Sequence, residues 1–457
     1  MVSQLWCLKS VIRSSVLLTS ALVFLVLGIS NMAHAQYVRS CGKVSPLTPQ
    51  GAAPQTDTLG RPYTGKAYFE FIPSLCVSER YDSNVFYAPP TPGLQRDDFV
   101  TDVNPQIRVN HNGEYVTGYL DIGGFYETYV RNPDLNFFGT ANSLYLNLDN
   151  SIKRLLPNAS FIVTDSMRYT PTPPGFINPI AGTNPSSPAN IQNSYAQGLL
   201  SYRTNNLTNS LNVLGSYNLT PNTSLNASYT NSFLKFGSST LNPGIVLFDS
   251  TTHVGTMGVK TQVTPLDTMM VSYSHTEYEF NPSTSTVSTS AESSNFRSDS
   301  ATLGWMRILT PYLSTQVGGG LIVIDPGITT YALNASLTLN TPSNVATISY
   351  ARSAQPGFIG VGVPVISDIV SLTAIQKLAL QWELDETAGY SHASGGEGPT
   401  AIRFDSYFAA VDLYYWITKV WSTALSVDYM RFDQEFSGTK GNFDRYTVGL
   451  SLKATLN

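Results

Sequence analysis

Residues 114–130 read EYVTGYLDIGGFYETYV. Within them Val116, Leu120, Ile122, Tyr126 and Val130 share one parity, while Thr117, Asp121, Glu127 and Tyr129 share the other. Successive side chains of an extended strand point to opposite faces, so this segment presents one face suited to lipid and one suited to water. The alternation runs on through 143–152, where Leu144, Leu146 and Leu148 oppose Tyr145, Asn147 and Asp149. It returns where Val411, Leu413, Tyr415 and Ile417 oppose Asp412 and Tyr414, and again where Leu425, Val427 and Tyr429 oppose Ser426 and Asp428. The closing stretch, 443–457, sets Tyr446, Val448, Leu450, Leu452 and Leu456 against Arg445, Thr447, Ser451, Lys453 and Thr455.

Composition narrows what such strands build. Of 457 residues only 12% are charged, 42% are hydrophobic and 11% aromatic, with a mean hydropathy of −0.04. That charge share is about half of what soluble domains carry. Past the N-terminus no run approaches the roughly 20 apolar residues of a spanning helix, and 26 Tyr with 21 Phe are too many for a disordered chain. Neutral hydropathy, few charges and many aromatics together describe a transmembrane β-barrel whose strands alternate between lipid and lumen.

The spacing of breakers supports this. Tight links fall at 110–113, 156–158, 220–222, 264–267, 310–312, 340–343 and 418–420, several beginning Thr-Pro, where proline presets a turn and cannot continue a ladder. Longer Pro/Gly/Ser-rich links alternate with them, near 87–97, 131–140, 171–194, 237–248, 281–297, 353–364, 393–403 and 435–441. Short periplasmic turns and longer outer loops are the outer-membrane arrangement. The count from Ala67 to Leu456 gives about eighteen antiparallel up-and-down strands, with sixteen as the alternative, because 322–331 and 364–382 are poorly marked.

The N-terminus carries an address. Lys9 and Arg13 precede an apolar stretch at 16–29, and Ala33-His34-Ala35 is an A-x-A cleavage site, so residues 1–35 read as a secretory signal peptide. Residues 36–64, with Pro46, Pro49, Pro54 and Pro62, read as a periplasmic extension or linker, and 65–457 as the barrel. The expected location is the outer membrane of a Gram-negative bacterium. Cys41 and Cys76 share an oxidising compartment where they either pair or remain isolated thiols.

Trp305, Trp382, Trp416 and Trp421 each lie near a predicted periplasmic turn, as an interfacial aromatic girdle requires. By parity Trp416 falls on the lumen side, an exception among the four. Residues 447–452 resemble the sorting signal read by the barrel assembly machinery, although the chain ends in Leu456-Asn457 rather than an aromatic residue. Outer-membrane lipid and lipopolysaccharide are the expected surroundings.

Little invites catalysis. Ser391-His392 and His275 with Glu277 are the only nominal rim candidates for a hydrolase. There is no Cys/His cluster with zinc spacing and no phosphate-cradling glycine loop, so neither metal nor cofactor is expected. A formal charge of −5 without basic blocks excludes nucleic acid. Gly318–Gly320 lies inside a strand pattern, where close backbone approach explains it. The predicted lumen face carries Asp102, Asp121, Glu127, Asp149, Glu383, Asp385, Asp412 and Asp428, with Arg80, Arg108, Lys153, Lys260, Arg445 and Lys453 among them. This mixed, slightly acidic set either brings mild cation preference or braces the barrel by pairing across the lumen. The 171–194 loop, rich in proline, is the expected plug.

Residues 78–86, Ser-Glu-Arg-Tyr-Asp-Ser-Asn-Val-Phe, resemble the first strand of the β-barrel porin 2 group of outer-membrane proteins. That resemblance implies passage of solute or sugar polymer, and polysaccharide export or synthesis partners. An exporter of polyanions needs a basic lumen, which this chain lacks. The leading reading is therefore a passive channel for small solutes or a neutral polysaccharide. A plugged, surface-display barrel is the alternative, and a rim hydrolase the third.

Overall fold

Each period-two segment becomes a strand, and the strands close on themselves. The computed structural model describes residues 68–90, 93–171, 203–239, 248–282, 295–325, 327–356, 364–396, 401–436 and 439–456. The signal peptide, the linker with Cys41 and most of the proline-rich 171–194 stretch lie outside these described residues. The first nine strands are β1 (Tyr68–Asp82), β2 (Asp98–Asn112), β3 (Thr117–Tyr129), β4 (Phe137–Asn147), β5 (Ala159–Thr170), β6 (Thr204–Thr220), β7 (Thr223–Ser239), β8 (Phe248–Gln262) and β9 (Asp267–Pro282). The remaining nine are β10 (Phe296–Thr310), β11 (Leu313–Asp325), β12 (Ile328–Asn340), β13 (Asn344–Pro356), β14 (Pro364–Ala379), β15 (Trp382–Gly395), β16 (Ile402–Trp416), β17 (Trp421–Phe436) and β18 (Thr439–Thr455).

Every strand pairs antiparallel with its sequence neighbours, and β1 pairs with β18 from Ser74↔Thr455 to Asp82↔Thr447. The count is eighteen, and closure leaves no strand edge whose backbone groups would lie unpaired in lipid. Outward residues are aliphatic or aromatic and exposed: Leu120, Ile122 and Tyr126 on β3, Leu425 and Val427 on β17, Val448, Leu450 and Leu452 on β18. With the ring closed and its outer face apolar, the chain is an outer-membrane β-barrel.

Connections alternate as the breakers predict. At one end β6–β7, β10–β11, β12–β13 and β16–β17 are joined by turns whose opening threonine accepts a hydrogen bond from a backbone N–H two or three residues on, as Thr310 Oγ1 does from Tyr312 (3.3 Å) and Thr418 Oγ1 from Trp421 (3.0 Å). The turn at 380–381 is Leu-Gln, with no turn-forming residue, and escaped the sequence reading for that reason. At the other end the links are mostly longer, the exceptions being β11–β12, where Gly327 at φ +93° turns the chain within two residues, and β17–β18, whose strands are two residues apart. The expected strand through 152 stops instead at Asn147. A helical turn, α1 (Asp149–Ile152), follows it.

Glycine in β11 has a steric cause. A Cβ on Gly320 would run into the carbonyl oxygen of Ala301 on β10, so the two backbones approach at a distance only glycine tolerates.

Candidate functional site

An eighteen-strand barrel with strands about 4.8 Å apart and tilted near 40° is roughly 35 Å across its backbone, too wide for wall side chains alone to fill. What lines and narrows that bore is the functional question. Parity and register place Arg80, Asp82, Asp102, Arg108, Asp121, Glu127, Glu383, Asp385, Asp412, Asp428, Arg445 and Lys453 on the inner face. All of them are largely shielded from solvent.

The charges on β1–β3 and β18 are braced in pairs. Arg108 grips Asp121 through two parallel bonds of 2.7 Å, with Ser143 Oγ donating to the same carboxylate. Asp102 and Glu127 stand directly opposite on β2 and β3, and Arg80 lies between them, 2.8 Å from Glu127 and 4.0 Å from Asp102. Glu127 also accepts from the Tyr129 hydroxyl (2.8 Å), which in turn accepts from Arg203 (2.6 Å). Such fork-to-carboxylate pairs fix geometry as well as charge. On β15–β17 the inner face is acidic: Asp385 faces Asp412 in direct register, Glu383 lies two residues along on the same face, and Asp428 sits diagonally across on β17. Asp412 accepts from Ser426 (2.6 Å) and Asp428 from Thr447 (2.8 Å).

Two expected lumen charges are elsewhere. Asp149 belongs to α1 at the turn end, where its carboxylate accepts from the Ser160 hydroxyl (2.7 Å) and the Phe161 N–H (2.8 Å). Lys153 caps the same helix, 3.7 Å from Asp149. Asn147 and Asp149 stop the strand because their side chains satisfy local backbone donors instead of alternating along a wall. Trp305, Trp382 and Trp421 face outward near the turn end, while Trp416 faces inward beside Tyr414.

Beyond Asp82 the chain does what no alternation announces. Residues 83–88 leave β1 and fold inward across the loop end of the bore. Asn84, fully buried, organises the bend: its N–H donates to Asp82 Oδ1 (3.0 Å), its amide nitrogen donates to the Ala88 carbonyl (2.9 Å), and its amide oxygen accepts from the Ala88 N–H (3.3 Å). Val85, Phe86 and Ala88 pack on Val100, Tyr129 and Leu135 of the β2–β4 side. Tyr87 turns the other way, onto Val365, Ile402, Phe404, Met430, Phe432 and Phe443 of β14–β18. Tyr87 holds φ +54°, a left-handed conformation costly for a side-chain-bearing residue. Its buried ring, with the Arg445 guanidinium 4.5 Å above it, offsets that strain. The Phe86 carbonyl accepts from the Arg203 N–H (3.0 Å), joining the start of β6 to the same constriction.

The segment that resembles a porin first strand is thus half strand and half inward bend. Sequence reasoning found Arg80, Glu127 and Arg445 by parity but missed Asp82, Asn84, Tyr87 and Arg203. The Asp-Ser-Asn sequence at 82–84, typical of turns, is the signal that marks the bend. Across the bore, Leu234, Phe236, Phe280, Phe296, Ile322 and Ile324 form a second inward apolar cluster near the loop end. The polar interior predicted from alternation therefore holds for the middle of the barrel and gives way to aromatic packing near its loop end.

The rim-hydrolase pairing of Ser391 with His392 does not form. Adjacent strand residues point to opposite faces: Ser391 is buried inward, and His392 faces outward onto Asp405 (2.8 Å). Cys76 faces inward on β1 and is disulfide-bonded.

No protein-family model matches the chain, and no curated protein does. Solved structures similar to it are bacterial barrels. The outer-membrane protein opdK of Pseudomonas aeruginosa is 9% identical, with 85% of this chain and 99% of that chain covered and a TM-score of 0.42. OccAB4 of Acinetobacter baumannii is 9% identical, with 86% and 100% covered and a TM-score of 0.41. The ferric enterobactin receptor of Pseudomonas aeruginosa, solved in complex with enterobactin, is 10% identical, with 85% and 81% covered and a TM-score of 0.42.

Proposed function

We propose that the protein is a passive outer-membrane channel, narrowed at its loop end, for small neutral or weakly cationic solutes, with a neutral polysaccharide as the extended form of the same cargo. The observation that carries this reading is the inward face of β15–β17, where Asp385 and Asp412 stand in direct register beside Glu383 and Asp428. Acidic side chains on the inner face of a channel bias it toward cations and hydroxyl-rich solutes over anions. The porin-group resemblance of residues 78–86 points the same way. The inward segment 83–88 favours a second reading, a plugged barrel that displays its outer loops.

Liposome swelling separates the two. Purified protein reconstituted into liposomes is expected to admit neutral mono- and disaccharides faster than anionic sugars of equal size. Liposomes that admit none, while the protein keeps its heat-modifiable gel migration, would establish the plugged barrel instead.

A further inference from the structure

The outer face carries a repeat that the channel does not use. On four ascending strands, β9, β13, β15 and β17, a tyrosine is followed two residues later by a cation: Tyr273 and His275, Tyr350 and Arg352, Tyr390 and His392, Tyr429 and Arg431. The residue between faces inward and is buried each time, as Ser274, Ala351, Ser391 and Met430. On the following strand an aspartate stands directly opposite the cation, Asp299, Asp368, Asp405 and Asp444 in turn. Each tyrosine hydroxyl donates to that aspartate, at 2.5, 2.6, 2.6 and 3.0 Å. In the first three the cation also binds it, at 2.8, 2.5 and 2.8 Å, whereas Arg431 binds Asp433 instead (2.9 Å). The β7–β8 hairpin repeats the geometry with other residues: Tyr229, Asn231 and, opposite, His253, with Tyr229 Oη and His253 Nδ1 2.8 Å apart.

Height fixes what these groups meet. Tyr429 lies eight residues above Trp421 on β17, which at about 3.3 Å per residue and a tilt near 40° is roughly 20 Å. The apolar band between holds Leu425 and Val427. Tyr390 stands eight residues above Trp382 on β15 in the same way, so on these two strands the tyrosine lies at the upper edge of the lipid band and its aspartate and basic partner just above it, at headgroup level. Tyr273 and Tyr350 stand six residues above the starts of β9 and β13. Each unit sets an aspartate directly opposite a basic side chain, Arg or His. It offers an aromatic face beside a carboxylate and a fork of donors, which suits the apolar C–H face and the hydroxyls of a sugar. A sugar held against a lipid-facing wall at that height belongs to an acylated saccharide.

We propose that the Tyr–Asp–cation units on β9–β10, β13–β14, β15–β16 and β17–β18 form a belt that binds the saccharide headgroup of the outer-leaflet glycolipid. The inference rests on the barrel lying in the outer membrane and is independent of whether its bore conducts.

The test titrates the full chain in detergent with a lipid A-type acylated disaccharide and, separately, with phosphatidylethanolamine, and reads bound lipid by native mass spectrometry. Wild type is expected to retain the glycolipid at least about tenfold more tightly than the phospholipid. A variant combining D299A, D368A, D405A and D444A is expected to lose that preference, and one combining Y273F, Y350F, Y390F and Y429F, which keeps the rings, to lose part of it. Heat-modifiable migration of each variant shows that the barrel itself is intact, and its loss in wild type would strike the barrel reading rather than the belt. Equal retention of the two lipids by wild type, or an undiminished preference in the folded variants, overturns the proposal.

Discussion

Arg445 on the last strand holds Asp82 on the first through two parallel hydrogen bonds, Nε to Oδ1 at 3.0 Å and Nη2 to Oδ2 at 2.6 Å. Both side chains are almost fully buried, and the pair bridges the seam where the barrel closes, at the point where the chain bends inward. Removing one partner leaves an uncompensated buried charge, which costs about 3–5 kcal/mol. R445A or D82A alone is therefore expected to shift the urea midpoint of heat-modifiable migration strongly downward. The double variant should cost less than the sum of the two. Additive losses would show that the two residues act independently.

Gly320 provides a steric test of the register. G320V places side-chain atoms against the Ala301 carbonyl of β10, so folded yield is expected to collapse. Gly255, where an added Cβ meets nothing within 4 Å, is the matched control, and G255A should assemble as wild type does. A G320V barrel of normal yield would mean that β10 and β11 pair differently.

The acidic inner face sets the sign of ion selectivity. Under a KCl gradient the wild-type reversal potential is expected to report cation preference. The D385N/D412N variant should move it toward zero, and acidification that protonates the carboxylates should act in the same direction. A reversal potential unchanged by the double variant would place the selectivity elsewhere.

Cys76 is disulfide-bonded, and Cys41, outside the described residues, is the partner we propose. Non-reducing peptide mapping is expected to yield one cross-linked peptide containing both. A bond closing some 35 residues of chain is worth roughly 3–4 kcal/mol in the chain-entropy account, so C76S should lower the urea midpoint. Recovery of Cys41 as a free thiol contradicts the pairing.

The barrel was legible in sequence because its physics repeats with period two. Leu425 and Val427 against Ser426 and Asp428 need no tertiary knowledge to be assigned to lipid and lumen. Breaker residues, Thr-Pro at four of the tight turns, gave the strand count, and the turn passed over, Leu-Gln at 380–381, carries no turn-forming residue. What alternation hides is any departure from it. Asp149 follows the parity of its neighbours yet opens a helical turn, its carboxylate taken up by Ser160 and the Phe161 N–H. Residues 83–88 carry an apolar run whose burial comes from walls scattered along the chain, from Val100 on β2 to Phe443 on β18. The outer tyrosine belt was visible in principle, since Tyr-Ser-His occurs at both 273–275 and 390–392. Its meaning emerges only when the register sets Asp299 and Asp405 opposite those histidines.

The central claim is a conducting bore narrowed by the inward bend that Asn84 organises. Single-channel recording in planar bilayers tests it most directly, comparing wild type with N84A, which removes the side-chain hydrogen bonds to Ala88, and with a variant in which residues 84–88 are replaced by a Gly-Ser link. A small, stable wild-type conductance that rises several-fold in the replacement variant, with N84A between them or noisier than wild type, is the predicted result. Silence from all three, in protein whose gel migration remains heat-modifiable, would contradict it.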